Sequence, residues 1–263
     1  MSAGLNISPT PTDRARERPI EVALDAALLV VRNGGSTVAA DRSFRNILKG
    51  YRREDVSAVW RLDFVAAMSA HEGRSSTIVA PVGPIGVNLV RAAEVADLSR
   101  RAAEGTVPLA LLETEVERIK DLPSPYHRWT TIATAAAAAA CFSQIAGGDW
   151  GSFGLAFVAA GLGQFLRSIL QARNLAVAPV TLISGVLSAM IAGIGLRLGL
   201  SEVEPAALIA SVIYLVPGLP LINGFVDLIS HKYLIVGVQR ILNAVFLFLI
   251  LAIAIALAHT IVP

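Results

Sequence analysis

The charges of this chain are gathered at one end. Residues 1–128 hold 17 of the 22 Lys and Arg and 16 of the 20 Asp and Glu, which leaves nine charges for the remaining 135 residues. An ordinary soluble domain is about 25% charged. The back half falls far below that, and the whole chain is only 16% charged, 54% hydrophobic and +0.63 in mean hydropathy. A water-compatible front half is therefore joined to a bilayer-compatible back half. That division excludes a soluble enzyme and a disordered chain. A formal net charge of +2 also excludes a nucleic-acid binder that works through bulk charge.

The front half reads as a small α+β domain. Residues 1–19 are polar and rich in Pro and Arg, with no apolar segment of the secretory type, and read as a disordered leader. From Ile20 to Arg32 apolar residues recur at helical spacing, with Pro19 suited to the first turn and Gly34-Gly35 to the stop. Ser36 is placed to cap a second helix reaching Lys49. Val56, Ala58, Trp60, Leu62 and Phe64 then alternate with other residues, the pattern of a half-buried strand. Residues 70–75 look like a turn, and Thr77–Pro81 like the second strand of a hairpin. Leu89–Ala103 and the segment opened by Pro108 are helical, with Gly105 between them. The expected order is ααββαα over residues 20–125.

Few residues of this half invite chemistry. His71-Glu72 lacks the second His one turn later that a zinc-protease helix needs, since position 75 is Ser. Ser75 and Ser76 beside His71 have no carboxylate that spacing can assign to them. Gly83-Pro84-Ile85-Gly86 has neither the glycine spacing nor the Lys-Ser/Thr ending of a phosphate loop. The lone Cys141 can form neither an internal disulfide nor a Cys-rich zinc site, and reads as a small buried apolar side chain. No metal and no cofactor is expected, and no catalytic residue is assigned.

In residues 126–263, five stretches approach the ~20 apolar residues that a helix needs to cross hydrocarbon. They are Trp129–Ala146, Phe153–Leu170, Ala176–Leu196, Ala206–Phe225 and about Ile235–Ile261. The loops after the second and fourth carry Arg173 and Lys232, with Arg167 and Arg240 close by. The loops after the first and third carry Asp149, Glu202 and Glu204, with Arg197 the only cation. The positive-inside rule then places the front domain in the cytoplasm and the C-terminus outside. The fold class expected is an α-helical polytopic membrane protein of about five spans with a small cytoplasmic α+β domain.

The fourth stretch is the most informative. Pro217 and Pro220 each remove a backbone donor, so the carbonyls of Ile213 and Val216 lose their helical partners, and Gly218 adds backbone freedom. Transporters place substrate sites at such broken helices. Asn223 and Asp227 fall on one face, and Arg240 opens the next stretch on the same side, a natural partner for Asp227. Tyr214, Pro217, Gly218, Pro220, Asn223 and Asp227 are the candidate translocation residues, with Asp227–Arg240 the candidate coupling pair. Rows of small residues in the third stretch (Gly185, Ala189, Gly193) and six alanines in the first (Ala135–Ala140) call for tight helix packing.

The string Leu-Val-Pro-Gly-Leu-Pro-Leu-Ile-Asn-Gly-Phe-Val-Asp-Leu (215–228) resembles the threonine/serine exporter family, as does the run His231–Asn243. In the front half Arg-Asn-Gly-Gly-Ser-Thr (32–37) and the segment 86–95 are similar too, so the resemblance spans about residues 20–258. Ala39-Ala40-Asp41 departs from the family's pattern where an acidic residue is expected. The resemblance implies ion-gradient-driven export of threonine or serine across the inner membrane. It also implies an oligomer and a second, small membrane subunit, because full-length members carry about ten spans. Two other readings stand beside it: a structural or regulatory membrane subunit without transport of its own, and a membrane-embedded hydrolase, for which no nucleophile–base pair is evident in the apolar stretches.

Overall fold

The structure, a computed structural model, describes residues 11–262 apart from Glu72 and Gly73. The chain is mostly helical and divides into two compact units. One runs up to Pro125 and takes in Leu219–Ile241; the other is Tyr126–Gly218 with the residues from Leu242 on.

The first unit is built around α1 (Pro11–Arg32), whose residues from Ala26 to Val31 are all buried. The helix begins nine residues earlier than the periodicity alone indicates, so residues 11–19 of the expected leader are helical, and residues 1–10 lie outside the described ones. Helix α2 (Thr37–Gly50) starts where Ser36 accepts a hydrogen bond from the Ala39 N–H, the expected cap. A three-stranded antiparallel sheet follows: β1 (Val56–Trp60), β2 (Phe64–His71) and β3 (Arg74–Pro81), in the order β1-β2-β3. Its register pairs Val56 with Ser69 and Phe64 with Pro81. Val56, Trp60, Val65 and Ala67 are buried against the helices.

The expected hairpin is thus a three-stranded meander. The long alternating strand breaks after Trp60, and the supposed turn at 70–75 supplies strand residues on both sides. Of the pair His71-Glu72, Glu72 and the His71 side chain lie outside the described residues. Ser76 donates to Glu17 on α1. Helices α3 (Leu89–Ala103) and α4 (Leu109–Asp121) complete the core with Val95, Leu98, Leu112, Val116 and Ile119.

The second unit opens with α5 (Arg128–Ile145), α6 (Trp150–Ala172) and α7 (Val177–Arg197). It continues with α8 (Glu204–Val212) and a 3₁₀ turn at Ile213–Leu215. Asp149 ties its loops together: the carboxylate accepts from Ser152 N at 2.6 Å, Ser201 Oγ at 2.7 Å and Glu202 N at 3.1 Å. These hydrogen bonds hold its pKa below the usual carboxylate range.

After the break come α9 (Gly218–Ile229) and α10 (Leu234–Ile261). Among the described residues three helices, α6, α7 and α10, are long and apolar enough to cross a membrane. The pair Glu204–Leu215 and Gly218–Ile229 makes a fourth if it counts as one broken span. That corrects the expected five. Helix α5 forms where expected, but it falls short in apolarity: alanine is only weakly apolar, and Thr130, Thr131, Thr134 and Gln144 dilute it further, while Cys141 lies on its exposed side and not, as expected, in a buried position. The fourth stretch is not one rod, because Pro217 has no N–H and Val216 before it is extended, at ψ 127°.

Candidate functional site

Helix α9 buries a narrow polar face. Asn223, Gly224 and Asp227 are buried, whereas Ile222, Phe225, Val226 and Ile229 on its other sides are exposed. The buried face lies, within the first unit, against the start of α2. Asn223 Nδ2 donates to the Gly34 carbonyl at 2.8 Å. Asp227 accepts from Thr37 Oγ1 at 2.8 Å and from the Val38 N–H at 3.2 Å. Its carboxylate thus sits at the amino end of α2, where unpaired N–H groups and the helix dipole favour an anion.

Arg240 completes the group. Its Nε lies 3.1 Å from Asp227 Oδ2, an ion pair by distance although the N–H is not aimed at the oxygen. The side chains are 5% and 0% exposed, so neither charge is shared with water. Close approach of α9 and α10 makes the pair possible. A Cβ on Gly237 would lie 2.8 Å from the Gly224 carbonyl, and one on Gly224 2.8 Å from Ile241 Cγ1. The turn between the helices is closed by His231 at φ 55°, a left-handed conformation uncommon for a residue with a side chain.

A second carboxylate lies beside the first on α2. Asp41 is buried and accepts from Trp60 Nε1 at 2.8 Å, Arg45 Nε at 2.7 Å and Lys232 Nζ at 2.8 Å. Burial alone would raise its pKa, but the hydrogen bonds from Lys232, Tyr233, Arg45 and Trp60 outweigh that and hold it below the usual carboxylate range. Tyr233 is shifted up in turn, by burial first and then by its bond to Asp41. The α9–α10 turn is therefore fastened to α2 by two buried carboxylates, one on each element.

Tyr214 belongs to the second unit and has its partners there. Its hydroxyl lies 3.1 Å from Ser188 Oγ and 3.4 Å from the Ser184 carbonyl. Gly163 on α6 admits them: a Cβ there would lie 2.0 Å from Ser188 Oγ and 2.1 Å from Tyr214 Oη. Arg167 Nη1 donates to the Tyr214 carbonyl at 3.2 Å.

The expectation of free carbonyls at the break fails. The Ile213 carbonyl accepts from Val216 N at 3.1 Å and the Val216 carbonyl from Gly218 N at 2.8 Å, so short-range turns replace the lost helical bonds. Pro217 is buried at the break, Pro220 is exposed in the first turn of α9, and the space around Gly218 is open.

Of the candidate residues, Asn223, Asp227 and Arg240 come together. Sequence reasoning missed their partners Gly34 and Thr37, and the bond from Lys232 to Asp41. Only the resemblance of the 32–37 string drew attention to that region. Among the described residues no cluster of His, Cys, Asp or Glu could hold a metal ion.

Comparison with known protein families matches residues 21–262 to ThrE, described as a threonine/serine exporter. The chain belongs to the threonine/serine exporter family. It is a family of transporters, not of enzymes. Among curated relatives, a Klebsiella aerogenes protein named probable succinate transporter subunit YjjP is 24% identical over 94% of this chain and 96% of its own length. The Escherichia coli protein of the same name is 23% identical over 90% and 92%. A Mycobacterium tuberculosis protein named probable threonine/serine exporter is 24% identical over 89% of this chain and 44% of its own length. No solved structure matches the chain. The exporter-family membership and the apolar helices make this a subunit of a transporter and a membrane protein.

Proposed function

We propose that this member of the exporter family is the larger subunit of a secondary active exporter of small hydroxylated amino acids, threonine and serine. It works in the inner membrane with a second, small membrane subunit and draws on an ion gradient. The relative named threonine/serine exporter supports the substrate, and the word "subunit" in the names of the two YjjP relatives supports the partner. Lys and Arg placement supports a cytoplasmic front unit and an external C-terminus.

The observation that carries the reading is the Asp227–Arg240 pair, two ionisable side chains buried where α9 meets the start of an apolar 28-residue helix. Buried charge pairs are costly to keep and are candidates for ion coupling where they hold one helix against another. In this reading Asp227 takes up and releases the coupling proton, and Arg240 is its counter-charge. Loss of the pair frees the amino end of α2 from α9, so protonation is converted into movement of helices. Tyr214 and Ser188 contribute hydroxyls to the path of a hydroxylated solute.

A second reading, a dicarboxylate transporter subunit, is favoured by the names of the two relatives matched over nearly their whole length. Efflux of radiolabelled threonine and of radiolabelled succinate from cells with and without the protein separates the two. Threonine efflux that rises with the protein and loses its pH dependence in Asp227→Asn is the expected result. Succinate efflux alone supports the second reading, and no change with either solute removes both.

A further inference from the structure

The second unit holds a cavity of about 260 Å³ among the last turns of α7, the first turn of α8 and the end of α10. Three ionisable side chains line it. Arg197 is in the last turn of α7, Glu204 is the first residue of α8, and His259 is in the last turn of α10. The remaining wall is small and apolar, formed in part by Ala189, Gly193 and Ala258.

Arg197 and Glu204 carry opposite charges into one cavity and yet are not paired. Among the described residues neither makes an ion pair or a side-chain hydrogen bond. Each therefore keeps its full capacity for a ligand, the guanidinium as a fork of donors and the carboxylate as an acceptor. Drug-sized ligands occupy pockets of roughly 300 Å³ and more, so this one suits a solute of a few heavy atoms. A small molecule with a carboxylate at one end and an ammonium at the other satisfies both charges at once. A dicarboxylate does not, because its second anion faces Glu204.

We propose that this cavity is a recognition site for a small zwitterionic amino acid. Arg197 holds the α-carboxylate, Glu204 the α-ammonium, and the Ala189–Gly193 wall accommodates a short side chain beside the His259 imidazole. Placing this cavity on the solute's outward route rests on the export reading; the binding chemistry does not. The site also separates the two substrate classes that the names of the relatives leave open.

The test is calorimetric titration of the purified full chain with L-threonine, threoninamide, 3-hydroxybutyrate and succinate, for wild type, Arg197→Gln and Glu204→Gln. Both positions are exposed, and circular dichroism verifies that each variant keeps its helix content. Threonine binds the wild type. Threoninamide, which lacks the anion, and 3-hydroxybutyrate, which lacks the cation, bind at least about tenfold more weakly, the loss expected when one charged hydrogen-bond set is removed. Each variant weakens threonine by a similar factor, and Glu204→Gln alone improves succinate. No binding of threonine, threonine binding in either variant as tight as in the wild type, or tighter binding of succinate than threonine by the wild type would overturn the proposal. Threonine efflux from cells is measured in parallel. Efflux that persists unchanged in both variants removes the site and leaves the export reading. Binding that tracks both residues without any efflux keeps the site and removes that reading.

Discussion

Replacing Asp227 by Asn removes one charge from a pair that water does not reach. Arg240, 5% exposed, is then left as a buried cation without its counter-charge. Breaking a buried pair in this way costs about 3–5 kcal/mol. Asparagine keeps one oxygen in place and still accepts from Thr37 Oγ1 or Val38 N, a bond worth roughly 1 kcal/mol, which puts the expected loss at the lower end, about 3 kcal/mol. For a chain of this size each kcal/mol moves Tm by about 2–4 °C, so a drop of roughly 6–12 °C follows. Arg240→Gln produces a comparable drop, because it strands the carboxylate. The double variant Asp227→Asn/Arg240→Gln buries no net charge and is less destabilised than the sum of the singles by at least about 2 kcal/mol. The assay is thermal unfolding of the detergent-solubilised full chain, followed by circular dichroism in all four proteins of the cycle. A single-variant drop of less than about 2 °C, or strict additivity in the double variant, would show that the two charges do not support one another and would refute the reasoning.

Other outcomes follow from the same geometry. Asp41 has a folded-state pKa below its unfolded value, so its stabilisation is complete above the unfolded value of about 4 and is lost as pH falls through the lower folded one. Asp41→Asn therefore lowers Tm at pH 6–8, and the gap to wild type closes only below about pH 4 in melts across that range. Gly163→Ala drives a methyl into Ser188 and Tyr214, costs about 1–3 kcal/mol and is partly rescued by Ser188→Ala, read by the same melts. Ser36→Ala removes the α2 cap at a cost of about 1 kcal/mol, seen as faster amide hydrogen exchange at Ala39.

What could be read from the residues alone was whatever local spacing controls. Helix α3 runs from Leu89 to Ala103 as the pattern indicates, and Ser36 caps α2, because periodicity and caps act within one or two turns. The middle strand, β2, escaped because Ala66, Ala67 and Ala70 carry little β-preference and Leu62-Asp63 interrupts the alternation. The carbonyls at Pro217 misled for a similar reason: the loss of helical partners is a local fact, whereas the tighter i+3 and i+2 bonds that replace them arise from the turn actually taken. Asp227 and Arg240 were legible as a pair since only thirteen residues and one turn separate them. Thr37 was not, because it reaches Asp227 across 190 positions and no spacing rule connects them. Arg197, Glu204 and His259 were visible only as scattered charges until three helix ends converged.

The amino end of α2 is finished by a carboxylate made long after it. Thr37 and Val38 leave the ribosome almost two hundred residues before Asp227 does, and Tyr233 and Val236 then fill the core begun by α1. The leading segment must wait, incompletely closed, while the intervening helices are made. A fragment ending at Pro125 would keep that opening for good, with a bare helix terminus and an apolar gap where the late strip belongs.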